Sequence, residues 1–236
     1  MKDRKLTAPE MGRLTPDEYR SRPESGTVVV LDNVRSAYNV GSAFRSCDAF
    51  GVDKVYLCGI CAVPPSNEIH KTALGAEESV PWQHCDSTLE AVASLKAAGY
   101  TVVSVEQTEH SLKLGSDESV IKRVAGFLAS SDARPSPGLS VPKVVEDGKA
   151  AGDVTGAEPL SKWPRVAQAS EGTSTPATAS NPKYAFIFGN EVEGVQQSVV
   201  DASDFCLEIP QHGTKHSLNV AVTVGIVLFA LTSPAR

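Results

Sequence analysis

Residues 186–195 read FIFGNEVEGV, and residues 207–231 read LEIPQHGTKHSLNVAVTVGIVLFAL. Each segment continues a short apolar run with strand character, 184–188 and 205–209, into a turn rich in Gly, Pro or polar groups. The second turn feeds a long apolar helix predicted to begin near Ser217, with Ser217 suited to the N-cap and Asn219 inside the helix. Strands that end in Gly-containing turns leave backbone N–H and C=O groups free at one edge of a sheet. Open α/β proteins bind their ligands at that edge. Two such turns lie close together here, equipped with Glu191, Ser217 and Asn219.

Working outward, the rest of the chain supplies the sheet those turns need. Residues 27–34 (TVVVLDNV) form a continuous β-branched run, the signature of a strand covered on both faces. A helix is predicted over 40–50, closed by Gly51, then a strand over 52–60. A Pro-rich loop follows, then a helix that starts at the Ser87-x-x-Glu90 capping box and closes at Gly99, then a strand over 100–106. Strands alternating with helices specify a parallel sheet covered on both faces, hence an α/β class.

Composition changes near residue 130. Residues 131–182 hold seven of the fifteen prolines and a single aromatic, Trp163. Such a segment buries too little apolar surface to offset its ordering entropy, so 130–182 reads as a disordered insertion. The alternative is a small folded module around Trp163. The expected organisation is a short N-terminal tail over 1–26 and one domain formed from 27–129 and 183–236.

The 236 residues carry a net charge of −6, so any nucleic-acid contact needs a local basic patch. The first 22 residues offer one, with Lys2, Arg4, Lys5, Arg13, Arg20 and Arg22 set among four acids; the plainer account is a solvated tail. Five cysteines and no leader-like apolar segment at the start point to reduced thiols in a cytoplasmic compartment. Cys58 and Cys61 form a C-x-x-C, but His70, His84 and Cys85 are only loose further ligands, so no metal is expected. The apolar run 220–231 falls short of the about 20 residues that span a bilayer, so no membrane partner is expected.

A further cluster is Asn39-x-Gly41-x-x-x-Arg45, at the opening of the first helix. Free N–H groups there favour an anion, and Arg45 lies about one and a half turns on, where a guanidinium can grip a phosphate. The plainer account is a capping Asn and a surface Arg. His212 and His216 read either as metal or base candidates or as solvent-facing loop residues. The chain has no G-x-x-x-x-G-K-[ST], no G-x-G-x-x-G after the first strand and no G-x-S-x-G. Those absences disfavour an ATPase, a dinucleotide enzyme and an α/β-hydrolase.

In this order, the clusters resemble the SpoU/TrmH branch of the SPOUT RNA 2′-O-ribose methyltransferases: N-x-G-x-x-x-R, G-x-E-x-x-G and I-P-x-x-G-x-x-x-S-L-N-V. The match covers roughly 27–129 and 183–232. The resemblance implies an α/β fold whose C-terminal segment forms a deep trefoil knot, and a bent S-adenosylmethionine held through backbone contacts from Gly189, Ile209 and Leu218. It implies a homodimer, with the last helix in the interface and the second subunit helping to complete the RNA site. By resemblance the catalytic group is Arg45, with Asn39 and Asn219 orienting it or the ribose, Glu191 fixing the turn or a water, and Ser217 tying the cofactor loop.

The reaction implied is displacement at a sulfonium methyl by a ribose 2′-oxygen, to which the protein contributes positioning. Guanidinium groups keep their proton in proteins, so Arg45 is expected to hold the adjacent phosphate and not to act as base. Two positions depart from the family pattern: Asn190, where Pro or a small residue is common, and Gln211, where Met is typical. The short segment before the first strand favours transfer RNA over ribosomal RNA. The alternatives are an RNA-binding or assembly factor that has lost catalysis on the same fold, and a small-molecule methyltransferase active without RNA.

Overall fold

The computed structural model describes residues 3–7, 9–115 and 182–232. The expected insertion over 130–182 lies, but for Pro182, outside them. Seven strands form one parallel sheet: β1 (Thr27–Asp32), β2 (Lys54–Cys58), β3 (Trp82–Cys85), β4 (Thr101–Val105), β5 (Leu112–Lys113), β6 (Tyr184–Phe188) and β7 (Phe205–Glu208). Their spatial order is β3-β2-β1-β6-β4-β7-β5. The helices are α1 (Pro16–Ser21), α2 (Ala37–Ala49), α3 (Asn67–Ala73), α4 (Ala76–Ser79), α5 (Thr88–Ala97), α6 (Gln197–Ala202) and α7 (Val220–Thr232).

Every residue of β1 is buried, and alternate side chains serve opposite faces, as the two-residue period of a strand requires. Val29 and Leu31 join the core beneath α2, α3 and α7, with Phe44, Ile69, Val224 and Leu228. Val28 and Val30 join the core beneath α5 and α6, with Val92, Leu95 and Val199. Phe44, Phe186 and Phe188 are fully enclosed, each contributing about 2–3 kcal/mol of transfer free energy. The two-sided sheet expected from the continuous apolar strands is therefore present.

Several local expectations are corrected. The Pro-rich loop contains α3, α4 and β3. Strand β3 is half-buried along its length, so its WQHC carries no apolar run by which to recognise it. Helix α2 starts at Ala37, because the Ser36 hydroxyl accepts the Asn39 N–H and acts as N-cap (3.3 Å). Asn39 is therefore in the first turn and is not the cap. Helix α7 starts at Val220, three residues beyond Ser217. Asn219 Oδ1 accepts the Ala221 and Val222 N–H groups (3.0 and 3.4 Å), so Asn219 caps the helix from outside. The stretch taken for a tail contains α1, whose Tyr19 is buried and donates from its hydroxyl to the Val52 carbonyl (2.8 Å).

Topology positions the site. β6, drawn from the far end of the chain, inserts between β1 and β4, and β7 lies on the other side of β4. Leu31 and Val105 flank Phe188, while Val105 pairs with Leu207. The loops that leave β4, β6 and β7 consequently emerge side by side at the carboxyl edge. Among the described residues, no helix is long and apolar enough to cross a membrane.

Candidate active site

The loop after β6 is a tight turn built by its own sequence. Asn190 Oδ1 accepts the N–H groups of Val192 and Glu193 (both 3.0 Å), and the Gly194 N–H returns to the Asn190 carbonyl (3.1 Å). This side-chain-closed turn gives Asn190 a purpose where the family pattern commonly has Pro or a small residue. Gly189 is demanded by the fold-back: a Cβ there would lie 1.9 Å from the Gly194 carbonyl carbon and 2.1 Å from the Val195 nitrogen. Gly194 has φ +70°, the left-handed region in which glycine is unstrained.

Two carboxylates that the sequence did not single out anchor this turn. Glu106, just past β4, accepts the Val195 N–H through Oε2 (2.9 Å) and the Gln107 N–H through Oε1 (2.8 Å). Asp32, at the end of β1, is fully buried and accepts from the Thr88 hydroxyl (2.6 Å), the Gln196 N–H (3.0 Å), Gln196 Nε2 (2.8 Å) and Asn33 Nδ2 (2.8 Å). A buried carboxylate supplied with four donors is satisfied without a counter-ion. The only signal for Asp32 is a lone acid ending an apolar run, and nothing in one sequence separates it from an ordinary strand-end turn.

Between the turns lies a cleft of about 380 Å³. Gly189, Glu191, Ile209, Ser217 and Leu218 all line it, so five of the predicted site residues converge. Apolar wall comes from Val105, Phe188, Leu207 and Val220. Glu106, Glu191, Glu193 and Glu208 line it too, without Lys or Arg among the described lining residues. Gln107 Nε2 donates to the His216 carbonyl (2.9 Å) and ties the loop after β4 to the loop after β7.

Asn39 and Asn219 stand beside the cleft and are joined to it. Asn219 Nδ2 donates to Asn39 Oδ1 (3.0 Å), and Asn39 Nδ2 donates to Glu191. The three polar groups, from motifs about 150 and 180 positions apart, thus form one relay.

The profile of the SpoU rRNA Methylase family matches residues 26–127 and 154–229, which is more than half of the chain. The chain belongs to the SpoU family. It is 26% identical, over 206 residues, to the 23S rRNA (guanosine-2'-O-)-methyltransferase RlmB of Nitrosomonas europaea, covering 87% of this chain and 55% of that protein. It thus spans about half the length of the curated relatives it matches. Among solved structures, the TrmH/SpoU tRNA modifying enzyme of A. aeolicus aligns with a TM-score of 0.59 and 18% identity over 92% of this chain and 79% of that one. The AdoMet-bound rRNA methyltransferase of Sinorhizobium meliloti aligns at 0.57 and 21%, over 92% and 58%. At these identities the structural likeness is one of fold.

In this SpoU-family chain, Arg45 does not line the cleft. It lies exposed on α2 and lines a second concavity of about 480 Å³ with Ser42, Ser46, Phe50, Lys71 and Thr72. Three of the six cations of the expected N-terminal basic patch are paired: Arg4 with Glu10 (2.8 Å), Arg20 with Asp17 (3.2 Å) and Arg22 with Asp53 (3.0 Å). His212 is exposed in the loop after β7 and does not line the cleft.

All five cysteines are free thiols. The C-x-x-C is split between two structural duties. Cys61 accepts the Val34 N–H and donates to the Leu31 carbonyl (both 3.1 Å), whereas Cys58 faces Cys85 across the β2–β3 register. A hydrogen bond from Cys58, helped by Lys54, holds the Cys85 thiol below its ordinary value, and the same contact together with burial raises Cys58.

Proposed function

We propose that this chain is an S-adenosylmethionine-dependent RNA methyltransferase that methylates ribose 2′-hydroxyls and works as a homodimer. The observation that carries the reading is the Glu191–Asn39–Asn219 relay, set at the mouth of an acid-lined cleft. The lining fits the cofactor. Four carboxylates and no Lys or Arg suit a sulfonium cation and repel a polyphosphate, and the apolar wall suits an adenine ring. Gly189, Ile209 and Leu218 would hold it through their backbone groups. When bound, it supplies an electrophilic methyl group.

The remaining work falls to positioning. Asn39 and Asn219 present amides that orient a ribose hydroxyl, Glu191 fixes Asn39 and the turn, and Ser217 lies on the cofactor side of the relay. Arg45 serves the site across a subunit boundary. Helix α7 exposes Val222, Ile226 and Phe229 in one stripe, with Phe229 63% exposed. An uncovered apolar stripe of that kind marks an interface. Phe229 packs edge-on against Phe50, which also lines the Arg45 concavity, so a second copy seated on α7 would bring its Arg45 towards this cleft. The trefoil knot belongs to the same reading, supported by the Glu106–Val195 and Gln107–His216 ties, which set the loop after β4 between the two C-terminal turns. The free thiols support a cytoplasmic setting.

The test combines calorimetry with S-adenosylmethionine and radiolabelled methyl transfer, followed by nuclease digestion to identify 2′-O-methylnucleosides. The assay offers both transfer and ribosomal RNA, because relatives are named for each, among them the tRNA (guanosine(18)-2'-O)-methyltransferase of Borreliella burgdorferi. Donor uptake with label in ribose is expected. No uptake, or label on bases alone, would overturn the reading.

A further inference from the structure

The second concavity contrasts electrostatically with the first. Helices α2 and α3 form two of its walls, and they are locked closely together at Gly41. A Cβ on Gly41 would lie 2.2 Å from Thr72 Oγ1 and 2.3 Å from the Ile69 carbonyl oxygen. Thr72 Oγ1 also donates to the Tyr38 carbonyl (3.0 Å). That contact fixes the rotational setting of α3, and with it the side on which Lys71 emerges beside Arg45. The hydroxyl-bearing residues Ser42, Ser46 and Thr72 complete the polar lining, and among the described residues no carboxylate takes part.

Arg4, Arg20, Arg22 and Lys96 are each paired with a carboxylate. The side chains of Arg45 and Lys71 have neither an ion-pair nor a hydrogen-bond partner among the described residues, although both are exposed. Lys5, Arg13, Arg35 and Lys215 also make no ion pair with a carboxylate among the described residues, but of these cations only Arg45 and Lys71 share a concavity. On a chain of net charge −6, two uncompensated cations on rigid, mutually locked helices make a local anion seat. A guanidinium and an ammonium play different parts here. The first grips one phosphate with two prongs, and the second neutralises a neighbouring phosphate as a point charge.

We propose that Lys71 is a positioning residue for RNA, seating a backbone phosphate next to the one held by Arg45 in the α2–α3 concavity. This rests on the methyltransferase reading above and deepens it. The acid-lined cleft takes the cationic donor, and the Lys71–Arg45 concavity takes the anionic acceptor, so the two substrates are sorted by charge before they meet. Lys71 touches backbone and not base, so its contribution is independent of RNA sequence and sensitive to salt.

The experiment measures binding of fluorescently labelled unfractionated transfer RNA to the full chain across a range of salt concentrations, for wild type, K71A, K71R and R45A. Calorimetry with S-adenosylmethionine and sedimentation run alongside. K71A is expected to lower the salt slope by about 0.9 and affinity by about fivefold to tenfold at about 0.1 M salt, with K71R restoring both. Donor binding and oligomeric state should not change. Lys71 is exposed, so loss of fold is not expected, and unchanged donor binding would exclude it. If wild type and R45A differ while K71A keeps the wild-type slope, this inference fails and the methyltransferase reading survives. If wild type binds no RNA, both fail. A changed oligomeric state with an unchanged slope would make Lys71 an interface residue and overturn the proposal.

Discussion

Asn39 joins Glu191 to Asn219: its amide nitrogen donates to the carboxylate, and its amide oxygen accepts from Asn219 Nδ2 at 3.0 Å. One side chain in the first turn of α2 therefore sets the geometry of two loops that arrive from the far end of the chain. Asn39→Asp removes the donor and sets a second carboxylate against Glu191. We expect methyl transfer to fall about 10–100-fold, from lost alignment, with the donor dissociation constant within about threefold of wild type. Equal losses in both quantities would mean that the relay holds the cleft and not the acceptor.

Gly189→Ala should act on the cleft itself. Its Cβ would overlap the backbone at Gly194 and Val195, which no rotamer change relieves, so the turn must open. The expected result is loss of donor binding by calorimetry in a protein whose circular dichroism matches wild type. Retained affinity would show that the turn does not contact the donor.

Asp32 carries the same turn from below. Asp32→Ala leaves the buried Thr88 hydroxyl without its acceptor, together with the part-buried Gln196 N–H and two side-chain amides. A cost of about 3 kcal/mol follows, a fall in Tm of roughly 5–10 °C. Thermal unfolding with and without S-adenosylmethionine checks both parts: a lower Tm, and a smaller rise on adding the donor.

The frame of this fold was legible because it rests on strong local patterns. The β-branched run TVVVL favours a strand buried on both faces, and the Gly189 and Gly194 turn declares itself by glycine spacing. What stayed hidden depends on distant partners. Ser217 and Asn219 are both good caps two residues apart; Asn219 takes the cap by accepting from Ala221 and Val222, while its amide nitrogen reaches Asn39, 180 positions away. Trp82–Cys85 pairs only with the edge of β2, where half-burial leaves no apolar run. Glu106 and Asp32 receive donors from the turn after β6, a proximity that strand order creates and sequence spacing conceals. Its motif marks Arg45 as a candidate, and its place outside the cleft is a matter of helix face.

The thiols should differ in reactivity in a set order. Cys85 is held below its ordinary value by the hydrogen bond from Cys58 and by Lys54, and it is partly exposed. Burial pushes Cys61 up to about 11, and Cys47, fully enclosed, is pushed higher still. Since the thiolate is the nucleophile, limited iodoacetamide at about pH 8 followed by peptide mass spectrometry should modify Cys85 first and the fully enclosed Cys47 and Cys58 last. Early modification of Cys47 would contradict this packing.

Whether Arg45 works in its own subunit or across the proposed dimer can be decided by mixing two inactive chains. R45A keeps an intact cleft and G189A keeps an intact Arg45. If each cleft uses the partner's arginine, a mixed dimer contains one site with both defects and one with neither. Random reassortment of equal amounts should then recover about a quarter of wild-type methyl transfer. If each cleft uses its own arginine, both sites of the mixed dimer stay defective and no activity returns. The position of Arg45 on the outer side of α2, away from its own cleft and beside the Phe50–Phe229 contact, favours recovery. A third variant, Phe229→Glu, places a charge in the α7 stripe. It should abolish that recovery, lower the sedimentation coefficient to that of a monomer and leave donor binding in place, because Phe229 does not line the cleft. Recovery that persisted in a monomeric protein would rule out an arginine delivered from the second copy.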